Sequence, residues 1–237
     1  MNSFVTLSST DDKVRATKFE SGGVSDNDPF SQSRRIAYDD KRTRAGTVTF
    51  DGSKTIEKYP HWELLIVTEG SLNFTFATTE VNVSAGGALV VNKATRFRIT
   101  ADASAKWVFL SVTTDLDGNP EPAVLNFFDR DAPLFESPTL DADILVSSPP
   151  TCRNHRMHVR DDIRVRAGVW DSTPYERVYL EQKEHELMHI TQGEVTFSDN
   201  EGRDEVYSVG DTFLVPKGVH GKWKSTAHVA KIYAVVS

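Results

Sequence analysis

In the second half of the chain, several histidines and the single cysteine are spaced so that they could bind a metal ion. Cys152, His155 and His158 follow one another at intervals of three residues. His185 and His189 are separated by four residues. On a helix, the two histidines of each set would share one face and could hold zinc. The chemistry open to these residues therefore depends on the secondary structure that carries them.

The surrounding sequence alternates like β-strands and shows no long stretch with a helical period. SLNFTF places Leu72, Phe74 and Phe76 on one face. The stretch EVTFSDNEGRDEVYSVGDTFLVPKG reads as three strands separated by a polar turn and a glycine turn. Many short strands with regular turns predict an all-β fold, either a sandwich or a barrel.

If these residues lie on strands, the zinc sites that a helix would form are not expected. On a strand, His185 and His189 take the parity opposite to Glu186, so we expect them to face away from it. CRNHRMH precedes a predicted strand and has no second ligand pair at zinc-finger spacing, so we expect a solvent-exposed connection there. Nothing near Cys152 marks an activated thiol, and an inert side chain is predicted.

One set of phrases occurs twice, in the same order. DDKRTRAG begins at Asp39 and DDIRVRAG at Asp161. ELLIVTEG then ends at Gly70 and ELMHITQG at Gly193, and KWVFLSV aligns with AKIYAVV near the end of the second copy. The separation is too long for a solenoid repeat and matches the length of a small domain. We therefore predict two copies of one domain, divided as residues 1–120 and 121–237.

The second copy carries motifs of a known superfamily. Glu186 and Gly193 form the pattern E-x6-G, and Gly210, Asp211, Pro216 and Gly218 form the pattern G-D-x4-P-x-G. These patterns resemble the two sequence motifs of the cupin superfamily. GDTFLVPKGVHGKW looks most similar to cupins of the (S)-ureidoglycine aminohydrolase type. The resemblance implies a bicupin, that is, two tandem jelly-roll barrels with a pocket inside each barrel.

The resemblance also implies where a metal would bind. Metal-binding cupins supply two histidines and a glutamate from the first motif and a histidine from the second. Here the glutamate is Glu186 and the second-motif histidine is His220, whereas Gln182 and Leu180 stand where histidines are expected. The predicted metal ligands are therefore Gln182, Glu186 and His220, for one divalent Mn, Fe, Ni or Zn ion. The alternative is a barrel without metal, in which Glu186 forms internal hydrogen bonds.

The first copy departs further from the motifs. Glu63 is kept, but the proline and second glycine become Asn92 and Ala94, and His220 aligns with Arg96. An arginine beside Glu63 would form an ion pair there and disfavour a bound cation. Arg96 and Arg98 could also bind a carboxylate ligand, because a guanidinium matches carboxylate geometry. We expect this barrel to be structural and free of metal.

Aromatic residues of the second copy could line a ligand pocket or simply form its core, and both interpretations stay open. They are Trp170, Tyr179, Trp223 and Tyr233.

The composition and charge of the chain argue against several classes of function. The net charge of -7 and pI near 5.5 argue against general nucleic-acid binding. No apolar run is long enough to span a bilayer, and no signal peptide is apparent. A single cysteine allows no internal disulfide. We expect a cytoplasmic monomer or homodimer whose partner is a small molecule.

Two functions follow from these features. The first is an enzyme acting on a small polar metabolite in the second barrel, similar to an aminohydrolase or isomerase. Glu186 and His220 would then be its metal ligands or its acid and base. The second is a binding or sensing bicupin that needs neither metal nor catalysis. The fold alone cannot separate them, because one fold hosts many activities.

Overall fold

The computed structural model describes residues 3–10, 17–117 and 133–237. These residues form an all-β fold of two compact units. Their strands are β1 Val5–Ser8, β2 Glu20–Ser21, β3 Arg34–Asp39, β4 Thr43–Ile56, β5 Trp62–Glu69, β6 Ser71–Thr75, β7 Glu80–Ser84, β8 Ala88–Val91, β9 Phe97–Val112, β10 Phe135–Glu136, β11 Cys152–Arg160, β12 Val165–Ser172, β13 Leu180–Glu181, β14 His185–Gln192, β15 Glu194–Asp199, β16 Asp204–Ser208, β17 Thr212–Val215, β18 His220–Lys224 and β19 Val229–Val236. Two short 3₁₀ turns span Ala142–Ile144 and Asp161–Ile163.

The described residues of the unit 18–129 form one antiparallel sheet that curls around a core, and this unit is called the N-terminal barrel below. Its strand order is β2-β3-β4-β9-β5-β8, and β6 pairs with both β9 and β7. The long strands β4 and β9 take part in both halves of this jelly roll. The core is rich in aromatic residues, among them Phe30, Tyr59, Phe97 and Trp107.

The second unit comprises residues 130–237 together with residues 1–17, and it is called the C-terminal barrel below. A seven-stranded sheet runs β1-β17-β14-β19-β12-β11-β10, and a four-stranded sheet runs β13-β18-β15-β16. Their inward faces enclose a core that includes Met188, Ile190, Phe197, Phe213 and Trp223. This is the jelly roll that the resemblance to cupins implies.

The amino-terminal strand joins the C-terminal barrel. In β1, Val5 pairs with Leu214 of β17. The ring of Phe4 contacts Phe197 and Tyr207 at centroid distances of 5.2 and 6.2 Å. The predicted division at residue 120 had assigned this strand to the first copy. No sequence pattern marks the pairing, because β1 is far from β17 along the chain.

The repeated phrases have a physical reason. Their final glycines are Gly46 on β4 and Gly168 on β12, each beside a register shift in the neighbouring strand. A Cβ atom at Gly46 would lie 1.9 Å from the carbonyl oxygen of Arg35, and one at Gly168 would lie 2.0 Å from that of His155. Only glycine permits such close backbone approach at a bulge. The two phrases therefore mark equivalent architectural positions.

Candidate functional site

Three neighbouring strands aim polar side chains into the C-terminal barrel. Glu186 on β14 is in register with Val235 on β19, which is in turn in register with Arg166 on β12. Directly paired residues share a face of the sheet, and Met188, two residues after Glu186, belongs to the core. Glu186 therefore faces the interior, as its strand parity predicts.

A buried lysine neutralises Glu186. The Lys231 Nζ atom donates to Glu186 Oε1 at 2.8 Å and lies 3.0 Å from the sulfur of Met188. Gln182 Nε2 donates to the other carboxylate oxygen, Glu186 Oε2, at 3.2 Å. The Lys231 side chain is only 8% exposed, whereas that of Glu186 remains 21% exposed. Both oxygens of the carboxylate thus already have donors from the protein.

Aromatic rings surround this ion pair. The Lys231 ammonium lies 4.8 Å from the ring centroid of Trp170 and 5.1 Å from that of Trp223. The two indoles meet edge to face at 5.7 Å, and Tyr175 stacks on Trp223 at 5.9 Å. In such cation–π contacts the ammonium is attracted to the faces of the rings. Trp170 and Trp223 are therefore walls of the polar interior, consistent with the pocket interpretation of these residues.

Two further groups lie near Glu186. Burial lowers the pKa of Arg177 against the opposing influence of Tyr175 and Glu186. Burial also raises the pKa of Tyr233, which lies near Arg156, Arg166 and Glu186. Tyr233 is also in register with Met188 of the core and thus belongs to the interior, as the aromatic pattern suggests. The Arg177 guanidinium is a cationic group that sequence reasoning did not single out.

The structure does not bring His220 to Glu186. Along β18, Gly221 and Trp223 are buried and point inward, while His220, Lys222 and Lys224 alternate with them. His220 is exposed and pairs with Glu181 of β13. Tyr179 is likewise 46% exposed. The predicted acid and base, Glu186 and His220, therefore lie on opposite sides of the barrel wall.

The interior does not fit the expected metal. Gln182 and Glu186 are close, but they bond to each other, and Lys231 holds the remaining carboxylate oxygen. A cation would have to displace an ammonium from a site with one strong ligand. Throughout the three described ranges, no three His, Cys, Asp or Glu side chains are grouped so that they could hold a metal ion.

Replacement of His220 by alanine should have little effect, since the side chain is exposed and faces outward. We expect the free energy of unfolding to change by less than about 0.5 kcal/mol. Metal content and ligand binding should match those of the wild type. Chemical denaturation and metal analysis of His220→Ala check this. Loss of a bound metal in this variant would restore His220 as a ligand.

The cysteine and histidines of CRNHRMH lie on a strand, so the predicted exposed connection is wrong. They form β11, where Cys152 and His158 are buried. Burial raises the pKa of the Cys152 thiol and lowers the pKa of His158 to about 4. A raised thiol pKa supports the prediction that Cys152 is inert. On β14, His189 lies 2.8 Å from the Thr212 hydroxyl, opposite in parity to Glu186 as predicted.

The N-terminal barrel places an arginine beside its own motif glutamate. Arg34 Nη2 lies 2.8 Å from Glu63 Oε2, and Arg34 Nε donates to Asp28 Oδ2 at 2.6 Å. Tyr59 accepts a hydrogen bond from Arg34 at 3.0 Å, and Ser111 donates to Glu63. The arginine side chain is 0% exposed. An internal ion-pair network therefore occupies this barrel.

Electrostatics in this network favour the charged forms. Burial would raise the pKa of Glu63, but the Arg34 charge and hydrogen bonds from His61 and Ser111 bring it down to about 2. Burial alone would lower the pKa of Arg34, yet Glu63, Tyr59 and Asp28 together raise it. Both groups therefore stay ionised across the physiological range.

Arg96 was the predicted ion-pair partner of Glu63, and the structure shows Arg34 in that role instead. Arg96 pairs with Glu57 at 2.9 Å on the surface, where its side chain is 71% exposed. Arg98 is also exposed and donates to Ser53 at 2.9 Å. Arg98 alternates along β9 with the buried Phe97 and Ile99, and Arg96 is exposed just before the strand. The predicted carboxylate site at Arg96 thus lies outside the barrel interior.

The two cations that pair with the motif glutamates were both missed. Arg34 lies outside the repeated segments and has no spacing signal. Lys231 does have a sequence signal, because the alignment of KWVFLSV with AKIYAVV matches it with Trp107, a buried core residue. A lysine at a position that is apolar and buried in the other copy indicates a buried charge that needs a partner.

Comparison with known proteins identifies a matching domain family and similar structures. A family model described as the EutQ-like cupin domain matches residues 159–233. The crystal structure of a protein of unknown function of the DUF861 family, from Pseudomonas syringae pv. tomato, is 34% identical, with a TM-score of 0.91 and complete coverage of both chains. No curated protein matches the chain.

More distant structures share the fold alone. A cupin 2 conserved barrel domain protein from Leptotrichia buccalis has a TM-score of 0.56 at 10% identity, over 86% of this chain and 88% of its own. Protein Ylba from E. coli, described with DUF861, has a TM-score of 0.52 at 12% identity, over 100% of this chain and 91% of its own.

The chain has the cupin fold, and residues 159–233 match a cupin domain. More narrowly, the chain belongs to the DUF861 family, because it is 34% identical to the Pseudomonas protein over the full length of both chains. None of the helices in the described ranges has the length and apolar character needed to cross a membrane.

Proposed function

We propose that the C-terminal barrel binds a small polar metabolite without a metal ion. The observation that carries this proposal is the ion pair between Lys231 and Glu186 inside a cage of aromatic rings. A ligand pocket needs apolar walls and a few fixed polar groups. Here Trp170, Trp223 and Tyr175 supply the walls.

The chemistry supports binding over catalysis. Of the residues expected to act as acid and base, His220 is exposed on the outer side of β18. Glu186 is engaged by Lys231 and Gln182, which favours a carboxylate that orients a ligand. The protein is then a binding or sensing module, with the lysine as its resident cation.

A thermal-shift screen in the presence of EDTA tests the proposal. Small carboxylates, ureides and sugars are the probes, and a compound that binds the folded barrel should raise the melting temperature saturably. Lys231→Met should lose this response, measured from its own melting temperature. The matched control is Lys106→Met, whose lysine forms a more exposed ion pair with Glu69 on a strand of the N-terminal barrel.

Two outcomes would contradict the proposal. One is stabilisation that vanishes in EDTA and returns only with an added transition metal. The other is the absence of any response across the three classes of compound. Steady turnover of a bound compound by the wild type would instead identify an enzyme.

A further inference from the structure

Arg177 faces the interior of the C-terminal barrel. Tyr175 belongs to the core, Glu176 pairs with Lys222 and Lys224, and Arg177 follows with the parity of Tyr175. Its backbone N–H donates to the carbonyl oxygen of Trp223. Glu186 and Tyr175 oppose the lowering of the Arg177 pKa by burial, which agrees with a guanidinium in the same interior.

Within the described ranges, the Arg177 guanidinium has no counter-ion: it donates no side-chain hydrogen bond there and forms no ion pair within 4.0 Å. Lys231 already engages Glu186 Oε1, and Gln182 engages Glu186 Oε2. An arginine carries five N–H donors, and leaving them without acceptors in a partly buried site costs stability. A structural role would be expected to show a partner in the chain.

A second donor lies nearby without an acceptor. Trp223 is 3% exposed, and its indole Nε1 is buried with no hydrogen-bond partner in the described residues. Its ring stacks on Tyr175 and lies over the Lys231 ammonium. Buried indole N–H groups ordinarily find an acceptor. Two donors that lack acceptors among the described residues thus belong to neighbouring residues of the same barrel.

The balance of charge in this interior is positive. Arg166 is engaged by Glu184, and Lys231 by Glu186. Arg177 therefore adds a positive charge that these two carboxylates do not match. The whole chain carries a net charge of -7, so this local excess is not a general property of its surface. An anion is the complement of such a site.

We propose that the ligand of the C-terminal barrel carries a carboxylate, which the Arg177 guanidinium binds. This inference rests on the proposed function and names the class of its ligand. The planar guanidinium matches a carboxylate through paired hydrogen bonds, and the aromatic walls contact the rest of a small molecule.

Matched pairs of probes test the inference by isothermal titration calorimetry in EDTA. The pairs are malonate and malonamide, succinate and succinamide, and N-carbamoylglycine and its amide. We expect at least one carboxylate to bind, and its amide to bind at least about tenfold more weakly. Arg177→Gln should weaken carboxylate binding by at least about tenfold, and Arg177→Lys should recover part of it.

A control variant and a stability readout complete the test. Arg98→Gln removes an exposed arginine of the N-terminal barrel and should leave carboxylate binding unchanged. Arg177→Gln should not lower the melting temperature, since no partner among the described residues is lost. A clear fall in that temperature would instead indicate a structural arginine and overturn the inference.

The results separate this inference from the proposed function. If no carboxylate binds, or if amides bind as well as carboxylates, the inference is wrong. Binding of a sugar or an amide that depends on Lys231 would leave the proposed function standing. Wild-type affinity in Arg177→Gln would likewise overturn only the role of Arg177.

Discussion

The Arg34→Met variant is expected to lose about 4 kcal/mol of the free energy of unfolding, a larger loss than that expected for Lys231→Met. Arg34 is fully buried and bonds to Asp28 and Glu63 inside the N-terminal barrel. Its removal leaves two buried carboxylates without their shared cation, and methionine offers no hydrogen bond in return. Urea denaturation followed by circular dichroism measures the loss.

Arg96→Met is the matched control. Arg96 also pairs with a glutamate, Glu57, but both side chains are exposed, so the cost should be under about 1 kcal/mol. Should Arg34→Met fail to fold, Arg34→Lys keeps a charge without the guanidinium fork and should still lower stability. Hydrogen exchange would then report faster opening in peptides of residues 18–117. Equal stabilities for Arg34→Met and Arg96→Met would refute the network.

Lys231→Met should cost about 2 kcal/mol, less than the loss at Arg34 because Glu186 keeps part of its hydration. The glutamate side chain is 21% exposed, whereas Glu63 is 1% exposed. The variant also loses the contacts of the ammonium with Trp170 and Trp223. Denaturation monitored by tryptophan fluorescence measures the change.

A double variant shows whether the cost comes from the unpaired carboxylate. Lys231→Met combined with Glu186→Gln removes both charges and should recover at least about half of the lost stability. Additive losses in the double variant would mean that the two residues do not interact. Such a result would contradict the ion pair between Lys231 and Glu186.

The two barrels pair the glutamate of the first motif with different cationic residues. Each keeps the glutamate of the first motif, Glu63 or Glu186, pointing into its barrel. Arg34 on β3 neutralises the first, and Lys231 on β19 neutralises the second. In both barrels the protein itself provides the cation at the glutamate. Among the described residues, the N-terminal barrel matches its buried arginine with carboxylates, whereas the C-terminal interior retains an unpaired arginine.

Much of this fold follows from local sequence patterns. Alternation predicts the strands, and the parity of β14 predicts that Glu186 points inward while His189 does not. The repeated phrases predict two copies of one domain, and their glycines, Gly46 and Gly168, meet the same backbone constraint in the structure. These properties depend on residues close together along the chain.

The errors have a common physical cause. Ion pairs such as Arg34 with Glu63 join residues from separate strands, and short-range patterns carry no information on that pairing. Whether the His220 side chain faces into or out of the barrel depends on how the chain turns after Pro216. In the structure, β18 begins with this histidine facing outward. A motif that aligns by letter can therefore place its last residue outside the barrel.

Metal analysis of the wild-type protein tests the central claim most directly. The protein would be purified without chelators from cells supplied with Mn, Fe, Ni and Zn. Because Lys231 and Gln182 hold both oxygens of Glu186, we predict less than about 0.1 metal ion per chain. About one ion per chain, lost in Glu186→Gln, would contradict a barrel whose resident cation is a lysine.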